Sequence, residues 1–177
     1  MIHLNNIYYF IDKFDSEEIK RLDKKVNIIY RNYKYNYNLN TIKALRDICR
    51  KYKRKFYIAN NLHLALELNL DGIYIPSFNK SLKIRYVSRR NFEILGSAHN
   101  FKEIYFKKKQ GINKIFISPI FKVMKTNKYL GVIKYNLLSK YAYNENIALG
   151  GINKDNLKKI KMVNCNGFAG IKYFKNE

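Results

Sequence analysis

Eight short apolar runs alternate with polar or helix-like segments along the whole chain, and this alternation restricts the possible folds more than any other feature. Each run is too short for a buried helix, and each ends at a glycine, a proline or a polar residue, as buried strands do. The runs cover residues 7–11, 26–30, 56–59, 72–75, 92–95, 114–117, 147–152 and 167–172. Strands that alternate with helices form a parallel sheet, and eight repeats favour a closed barrel over an open sheet.

The chain is short for such a barrel, since it has 177 residues and the usual minimum is about 200. We therefore predict a single α/β domain over residues 1–177, a compact (β/α)8 TIM barrel with trimmed helices. No eighth helix is expected at the C-terminus, because few residues follow the last strand. Residues 77–92 are predicted to form a loop with at most a short helix.

Polar residues before several of the predicted helices are typical of N-caps, whose side-chain oxygens accept hydrogen bonds from the first free backbone N–H groups. Asp15, Thr41 and Asn100 are predicted to open helices in this way. Asn153 is predicted to cap a further helix over residues 154–162. These four positions fix where the chain turns back from a strand to a helix.

The formal charge of +22 has two interpretations, with 35 Lys and Arg residues against 13 Asp and Glu residues. Clustered cations bind nucleic acids through their phosphates. Here, however, the lysines are spread over every segment, and the densest clusters, residues 50–55 and 107–109, fall at predicted helix ends, where cations suit the helix dipole and solvent. A general bias towards Lys, Asn, Ile and Tyr is the favoured explanation, and nucleic-acid binding is the less favoured one.

The cellular context follows from what the sequence lacks. No run approaches the 18 or so apolar residues of a membrane span, and the first residues show no signal-peptide pattern. Cys49 and Cys165 are far apart and outside any CxxC or His-containing spacing, which favours structural cysteines over a redox pair. We expect a cytoplasmic protein with no membrane partner.

Glycines at the end of the seventh predicted strand indicate an anion site. Gly150 and Gly151 allow backbone N–H groups to approach a ligand closely, and the N-terminus of the helix predicted after Asn153 favours an anion. The loops after strands seven and eight of such barrels are a frequent phosphate site. The sequence therefore predicts phosphate binding at this corner.

Three blocks of the sequence resemble the thiamine phosphate synthase family, which includes the thiazole tautomerases. They read ANNLHLALELNLDGIYIP, ILGSAHNFKEIYFKKKQGINKIFISPIF and IALGGINKDNLKKI followed by GFAGI, and they occur in the family's order. The resemblance implies a TIM barrel that joins an aminopyrimidine methyl diphosphate to a thiazole phosphate, giving thiamine phosphate and diphosphate. Pro119 stands where the tautomerase branch has a catalytic histidine, so the synthase branch fits better.

The resemblance also implies roles for particular residues. The thiazole-phosphate site corresponds to the four residues Gly150, Gly151, Ile171 and Lys172. Diphosphate binding corresponds to Arg31, Lys34, Ser97 and Lys125. The family's two Mg²⁺-binding aspartates align with Asn60 and Asn79, so Mg²⁺ is the implied cofactor, held here by amides in place of carboxylates.

Alternatives remain open for several of these residues. Asn60 also suits a helix N-cap, Ser97 a helix cap, and Arg31 an ordinary surface position. His99 follows Ser97 in a pattern that the family shares, with general acid–base catalysis as the less favoured role. For the whole chain, the alternatives to a divergent synthase are a non-catalytic barrel that binds a phosphorylated metabolite and a nucleic-acid-binding protein. The resemblance allows a homo-oligomer.

Overall fold

The computed structural model describes residues 6–33, 37–124, 127–142 and 144–175. Eight parallel strands close into a barrel in chain order, and the first strand pairs with the last. The strands are β1 Asn6–Ile11, β2 Val26–Tyr30, β3 Phe56–Ala59, β4 Gly72–Ile75, β5 Glu93–Ala98, β6 Lys114–Ile117, β7 Glu145–Leu149 and β8 Gly167–Gly170. The prediction of a (β/α)8 barrel is confirmed.

The helices around the barrel are short, as the chain length predicts. The α-helices are α1 Ser16–Arg21, α2 Leu39–Lys51, α3 Leu62–Glu67, α4 Phe101–Lys109 and α5 Gly131–Ser139. Two connections contain only a 3-10 helix, over Leu82–Tyr86 and Leu157–Met162. The described residues after β8 form turns, without a further helix.

The predicted helix starts are partly correct. Asp15 and Asn100 cap α1 and α4 through their side chains. Thr41 does not open α2, because Asn38 accepts the Thr41 N–H at 3.2 Å and the helix begins earlier. Asn153 accepts the Asn156 N–H at 3.0 Å, but this bond closes a turn that leads into a 3-10 helix and not into the predicted α-helix.

Strand β5 extends three residues past its predicted end at residue 95. Gly96, Ser97 and Ala98 continue the ladder and pair with β6. These residues are small, so the apolar run that marks a strand stops before the strand does. As a result Ser97 lies within a strand, buried at 4% exposure, and not on a loop.

Aromatic side chains fill the inside of the barrel. Phe116 makes edge-to-face contacts with Tyr8, Phe10 and Tyr74, at centroid distances of 5.1 to 5.9 Å. Such pairs each contribute about 0.5–1.5 kcal/mol beyond the burial of their surface. Because the interior is packed, a ligand must bind at the mouth, where the loops after the strands meet.

A charged network lies at the opposite, N-terminal end of the barrel. Glu93 accepts hydrogen bonds from Tyr57 and from Lys55, and Lys114 lies 3.4 Å from its carboxylate. Although burial alone would raise the pKa of Glu93, the Tyr57 hydroxyl and the two lysines lower it. Lys114 also contacts Glu145 at 3.3 Å. This end of a barrel serves stability, and the network ties neighbouring strands together.

Both cysteines are free thiols. Cys49 is buried against the barrel from α2, and burial raises its pKa to about 12. Cys165 is partly buried. In the described parts of the chain, no helix combines the length and apolar character needed to cross a bilayer.

Candidate active site

One corner of the mouth is the turn after β7. Gly150 and Gly151 have φ angles of +95° and +73°, which favour glycine. The loop after β6 packs tightly on this turn, since a Cβ on Gly151 would lie 2.5 Å from the Lys122 carbonyl oxygen. Phe121 N–H donates to the Gly150 carbonyl at 3.0 Å. Loop packing alone therefore already demands glycine at both positions.

The same corner presents backbone donors to solvent. Among the described residues, no hydrogen bond is assigned to the N–H groups of Gly151 and Lys172. Ile171 and Lys172 lie directly after β8, and both are exposed. Asn156 Nδ2 donates to the Gly151 carbonyl at 2.7 Å and fixes the orientation of this peptide. The corner can bind an anion through backbone N–H groups and the Lys172 ammonium.

A second corner lies at the ends of β2 and β5. Arg31 follows β2, and its guanidinium carbon lies 4.9 Å from the centre of the Phe10 ring. Ser97 on β5 is buried next to Tyr74 on β4 closely enough to influence the pKa of its phenol. Burial raises the pKa of Tyr74, while the Ser97 hydroxyl and the Arg31 charge act in the opposite direction. Arg31 and Ser97 thus both influence the same phenol, and both belong to strand ends at the mouth.

Two asparagines join the loops after β3 and β4. Asn79 Nδ2 donates to Asn60 Oδ1 at 2.6 Å, and Asn79 Oδ1 accepts the Ser81 N–H at 2.8 Å. Asn60 has a φ angle of +58° and does not cap α3. Asn61 does so, by accepting the Leu64 N–H at 3.1 Å. The interpretation of Asn60 as a helix N-cap is therefore wrong by one residue, and its side chain faces the mouth.

A buried lysine lies behind the β4 loop. Lys107 on α4 is fully buried, and its Nζ donates to the Pro76 carbonyl at 2.8 Å, the Asn79 carbonyl at 3.2 Å and Gln110 Oε1 at 2.8 Å. Burial lowers its pKa to about 7; the nearby charge of Lys80 acts in the same direction and that of Glu103 in the opposite one. The prediction that residues 107–109 are solvated cations at a helix end is therefore wrong for Lys107.

An open cavity of about 670 Å³ adjoins the asparagine pair. Aromatic rings and amides line it, and the Tyr33 and Phe78 rings lie 5.7 Å apart across part of the wall. The lining residues are Asn32, Tyr33, Tyr37, Asn60, Asn61, Leu64 and Phe78. The mouth therefore offers room beside the loops after β2, β3 and β4.

His99 lies at the end of β5 and is anchored to β6. Its Nδ1 is 2.8 Å from the Ser118 carbonyl oxygen and 3.2 Å from Ser118 Oγ. A carbonyl oxygen only accepts, so this contact requires the proton on Nδ1. The ring links two strand ends, and this gives His99 a structural role that is independent of catalysis.

Comparison with known proteins decides the family. A profile described as thiamine monophosphate synthase matches residues 19–174. A thiamine-phosphate synthase of Prochlorococcus marinus is 33% identical over 133 residues, covering 73% of this chain and 38% of the relative. A second, from P. marinus subsp. pastoris, is 28% identical over 172 residues, covering 91% of this chain and 48% of the relative.

The chain belongs to the thiamine monophosphate synthase family. It spans about half the length, or less, of these two curated relatives. Among solved structures, a thiamine phosphate pyrophosphorylase from Pyrococcus furiosus superposes with a TM-score of 0.75 at 19% identity, covering 95% of this chain and 86% of that one. At this identity the superposition supports the fold alone.

Membership of the thiamine monophosphate synthase family implies Mg²⁺, and the residues present do not fit it. The Asn60 and Asn79 amide oxygens both already accept hydrogen bonds from N–H donors. In the described ranges, no group of three or more His, Cys, Asp or Glu side chains could hold a metal ion. Mg²⁺ demands near-ideal octahedral oxygen ligation, and neutral, occupied amides offer little to it.

The eight predicted residues that the structure describes lie at two parts of the mouth, one after β7 and β8 and one at the ends of β2 to β5. Lys34 and Lys125 lie outside the described residues, so their roles stay predictions. The assignments of the other eight also stay predictions, because no ligand contact tests them. The sequence did not indicate that Lys107 is buried. It lies three residues before Gln110, which ends the helix, and a lysine near a helix end is usually exposed.

Proposed function

We propose that this chain catalyses the condensation named by its family, joining an aminopyrimidine methyl diphosphate to a thiazole phosphate. The observation that carries the proposal is the Gly150–Gly151 turn with the N–H groups of Gly151 and Lys172 beside it. What supports a phosphate here is that no acceptor is assigned to these two backbone N–H groups among the described residues, and that Lys172 can add a cation. Family membership supplies the identity of the two substrates as a hypothesis.

The reaction needs a leaving group stabilised at one end and a nucleophile positioned at the other. The bond between the pyrimidine methylene carbon and the diphosphate oxygen breaks, and the electron pair leaves with diphosphate. The thiazole nitrogen then donates its lone pair to that carbon, forming the new C–N bond. No oxidant and no strong base is required, so charge stabilisation and positioning dominate.

Each corner has a role in this scheme. The Arg31 guanidinium would bind the diphosphate, contacting two of its oxygens at once. Ser97 would donate a hydrogen bond to the same group. At the other end, the Gly151 and Lys172 N–H groups would hold the thiazole phosphate. Fixed phosphates at both ends would bring the nitrogen and the methylene carbon together.

The test is turnover by purified protein given both substrates, with thiamine phosphate measured by mass spectrometry. We expect product above the protein-free background, and we expect Arg31→Met to lower kcat/KM by about 10²-fold, because a charge that stabilises the leaving group is lost. Arg46→Met is the matched control, since Arg46 lies on α2 and pairs with Asp47. Absence of product with intact fold would overturn the proposal.

Binding without turnover is the outcome that would favour the non-catalytic alternative. Calorimetry with the thiazole phosphate, followed by addition of the second substrate, separates the two. A barrel that only binds would give heat of binding and no product, whereas a synthase would give both. The replacement of two carboxylates by Asn60 and Asn79 is the observation that makes this alternative worth measuring.

A further inference from the structure

We propose that the diphosphate end of this site works without a divalent cation, because the Asn60–Asn79 pair, held from behind by Lys107, binds the anion directly. The inference rests on the proposed function, since it assigns the diphosphate to the loops after β3 and β4. It concerns residues that depart from the pattern of the family. Three structural steps carry it.

The first step is the orientation of the two amides. Asn79 Oδ1 accepts the Ser81 N–H, which directs Asn79 Nδ2 towards Asn60. Asn60 Oδ1 accepts from that Nδ2 at 2.6 Å. Asn60 Nδ2 therefore remains as the free end of the chain of hydrogen bonds, and no acceptor for it is assigned among the described residues. The family has Mg²⁺-binding aspartates at the positions of Asn60 and Asn79. Here the two amides instead present an N–H donor, Asn60 Nδ2, which suits an anion.

The second step is the support behind the β4 loop. Lys107 Nζ donates to the Pro76 and Asn79 carbonyls, and Gln110 Nε2 donates to the Asn79 and Ser81 carbonyls at 3.1 and 2.9 Å. These bonds hold the loop at both sides of the Asn79 side chain. Lys107 and Gln110 lie one helical turn apart on α4 and at its C-cap. The amide pair is thereby fixed before any ligand arrives.

The third step is charge. Lys107 contacts three oxygens, all from neutral groups, and in the described ion pairs no carboxylate partners it. Burial lowers the pKa of Lys107 to about 7, so its ammonium is only partly protonated at neutral pH. A negative charge at the adjacent mouth would favour the protonated form and offset the cost of burying it. A second cation such as Mg²⁺ beside it would be repelled. The same charge therefore favours diphosphate and disfavours the metal.

The experiment measures the binding of inorganic diphosphate by calorimetry, once in EDTA and once in Mg²⁺. We expect the affinity for diphosphate in EDTA to be at least as high as the affinity in Mg²⁺, allowing a difference of about twofold. Binding only in Mg²⁺ would overturn the inference and leave the proposed function intact, and the turnover assay would then show Mg²⁺-dependent product. Absence of binding in both conditions would overturn the inference as well.

Variants separate the positioning role of Lys107 from a purely structural one. Asn60→Asp combined with Asn79→Asp restores two carboxylates and should make diphosphate binding depend on Mg²⁺, with about tenfold weaker binding in EDTA. Lys107→Met should weaken metal-free binding by about tenfold, whereas Lys109→Met, on the exposed side of the same helix, should not. If the double variant stays indifferent to Mg²⁺, the assignment of this corner is wrong.

Discussion

The buried Lys107 should make the free energy of unfolding depend on pH by an amount that can be calculated. Its pKa falls from the ordinary value of 10.5 to about 7 in the folded protein. Between these values the unfolded chain binds a proton that the folded protein does not, so stability rises with pH over this window. Below about pH 7 both states are protonated, and the full penalty for the buried charge is present.

Lys107→Met removes this titration, so the free energy of unfolding of the wild type minus that of the variant should increase with pH. Each pKa unit corresponds to about 1.4 kcal/mol, and the integrated change between about pH 6 and about pH 9.5 is about 3 kcal/mol. The variant also loses the hydrogen bonds to Pro76 and Asn79, which lowers its free energy of unfolding by an amount that depends little on pH. Other titrating groups cancel in the difference.

Urea unfolding of both proteins at several pH values in this range measures the effect. Lys109→Met is the control, because this side chain is exposed at the end of the same helix, and its difference from wild type should stay flat. A wild-type-minus-variant difference for Lys107→Met that changes by less than about 1 kcal/mol across the range would refute the reasoning about burial.

Three further predictions concern other parts of the barrel. Gly151→Ala should destabilise the protein by about 2 kcal/mol or more, because its Cβ would lie 2.5 Å from a carbonyl oxygen of the loop after β6; an unchanged thermal midpoint would contradict this packing. Glu93→Gln should cost about 2 kcal/mol in urea unfolding while phosphate affinity stays unchanged, since Glu93 lies at the opposite end of the barrel from the mouth. A thiol reagent at neutral pH should modify Cys165 much faster than Cys49, whose pKa burial raises to about 12; equal rates, followed by mass spectrometry, would speak against this order.

The fold could be predicted because the alternation of apolar runs extends along the whole chain and leaves few topologies. Strand β5 shows the limit of that signal. Its last three residues, 96–98, are small and give no apolar run, yet they complete the ladder with β6. The start of α2 was misplaced for a related reason, since Asn38 and Thr41 both suit a cap and only the backbone path decides between them.

The parts of the candidate site that depend on backbone conformation could be predicted from the sequence. The parts that depend on which side chains contact each other could not. The turn at Gly150 and Gly151 was predicted because two adjacent glycines follow an apolar run, and both have the positive φ angles that favour glycine. The bond between Asn60 and Asn79 was not, because it joins two loops 19 residues apart through side-chain orientation. Nor does anything in the residues around Lys107 indicate that its ammonium is buried, since its three acceptors are carbonyl groups, two of them from the backbone.

A crystal structure with thiamine phosphate, the product of the proposed reaction, tests the central claim most directly. The account predicts the phosphate within hydrogen-bond distance of the N–H groups of Gly151 and Lys172, with the pyrimidine end towards Arg31. A phosphate bound away from the turn after β7, or at the N-terminal end of the barrel, would contradict it.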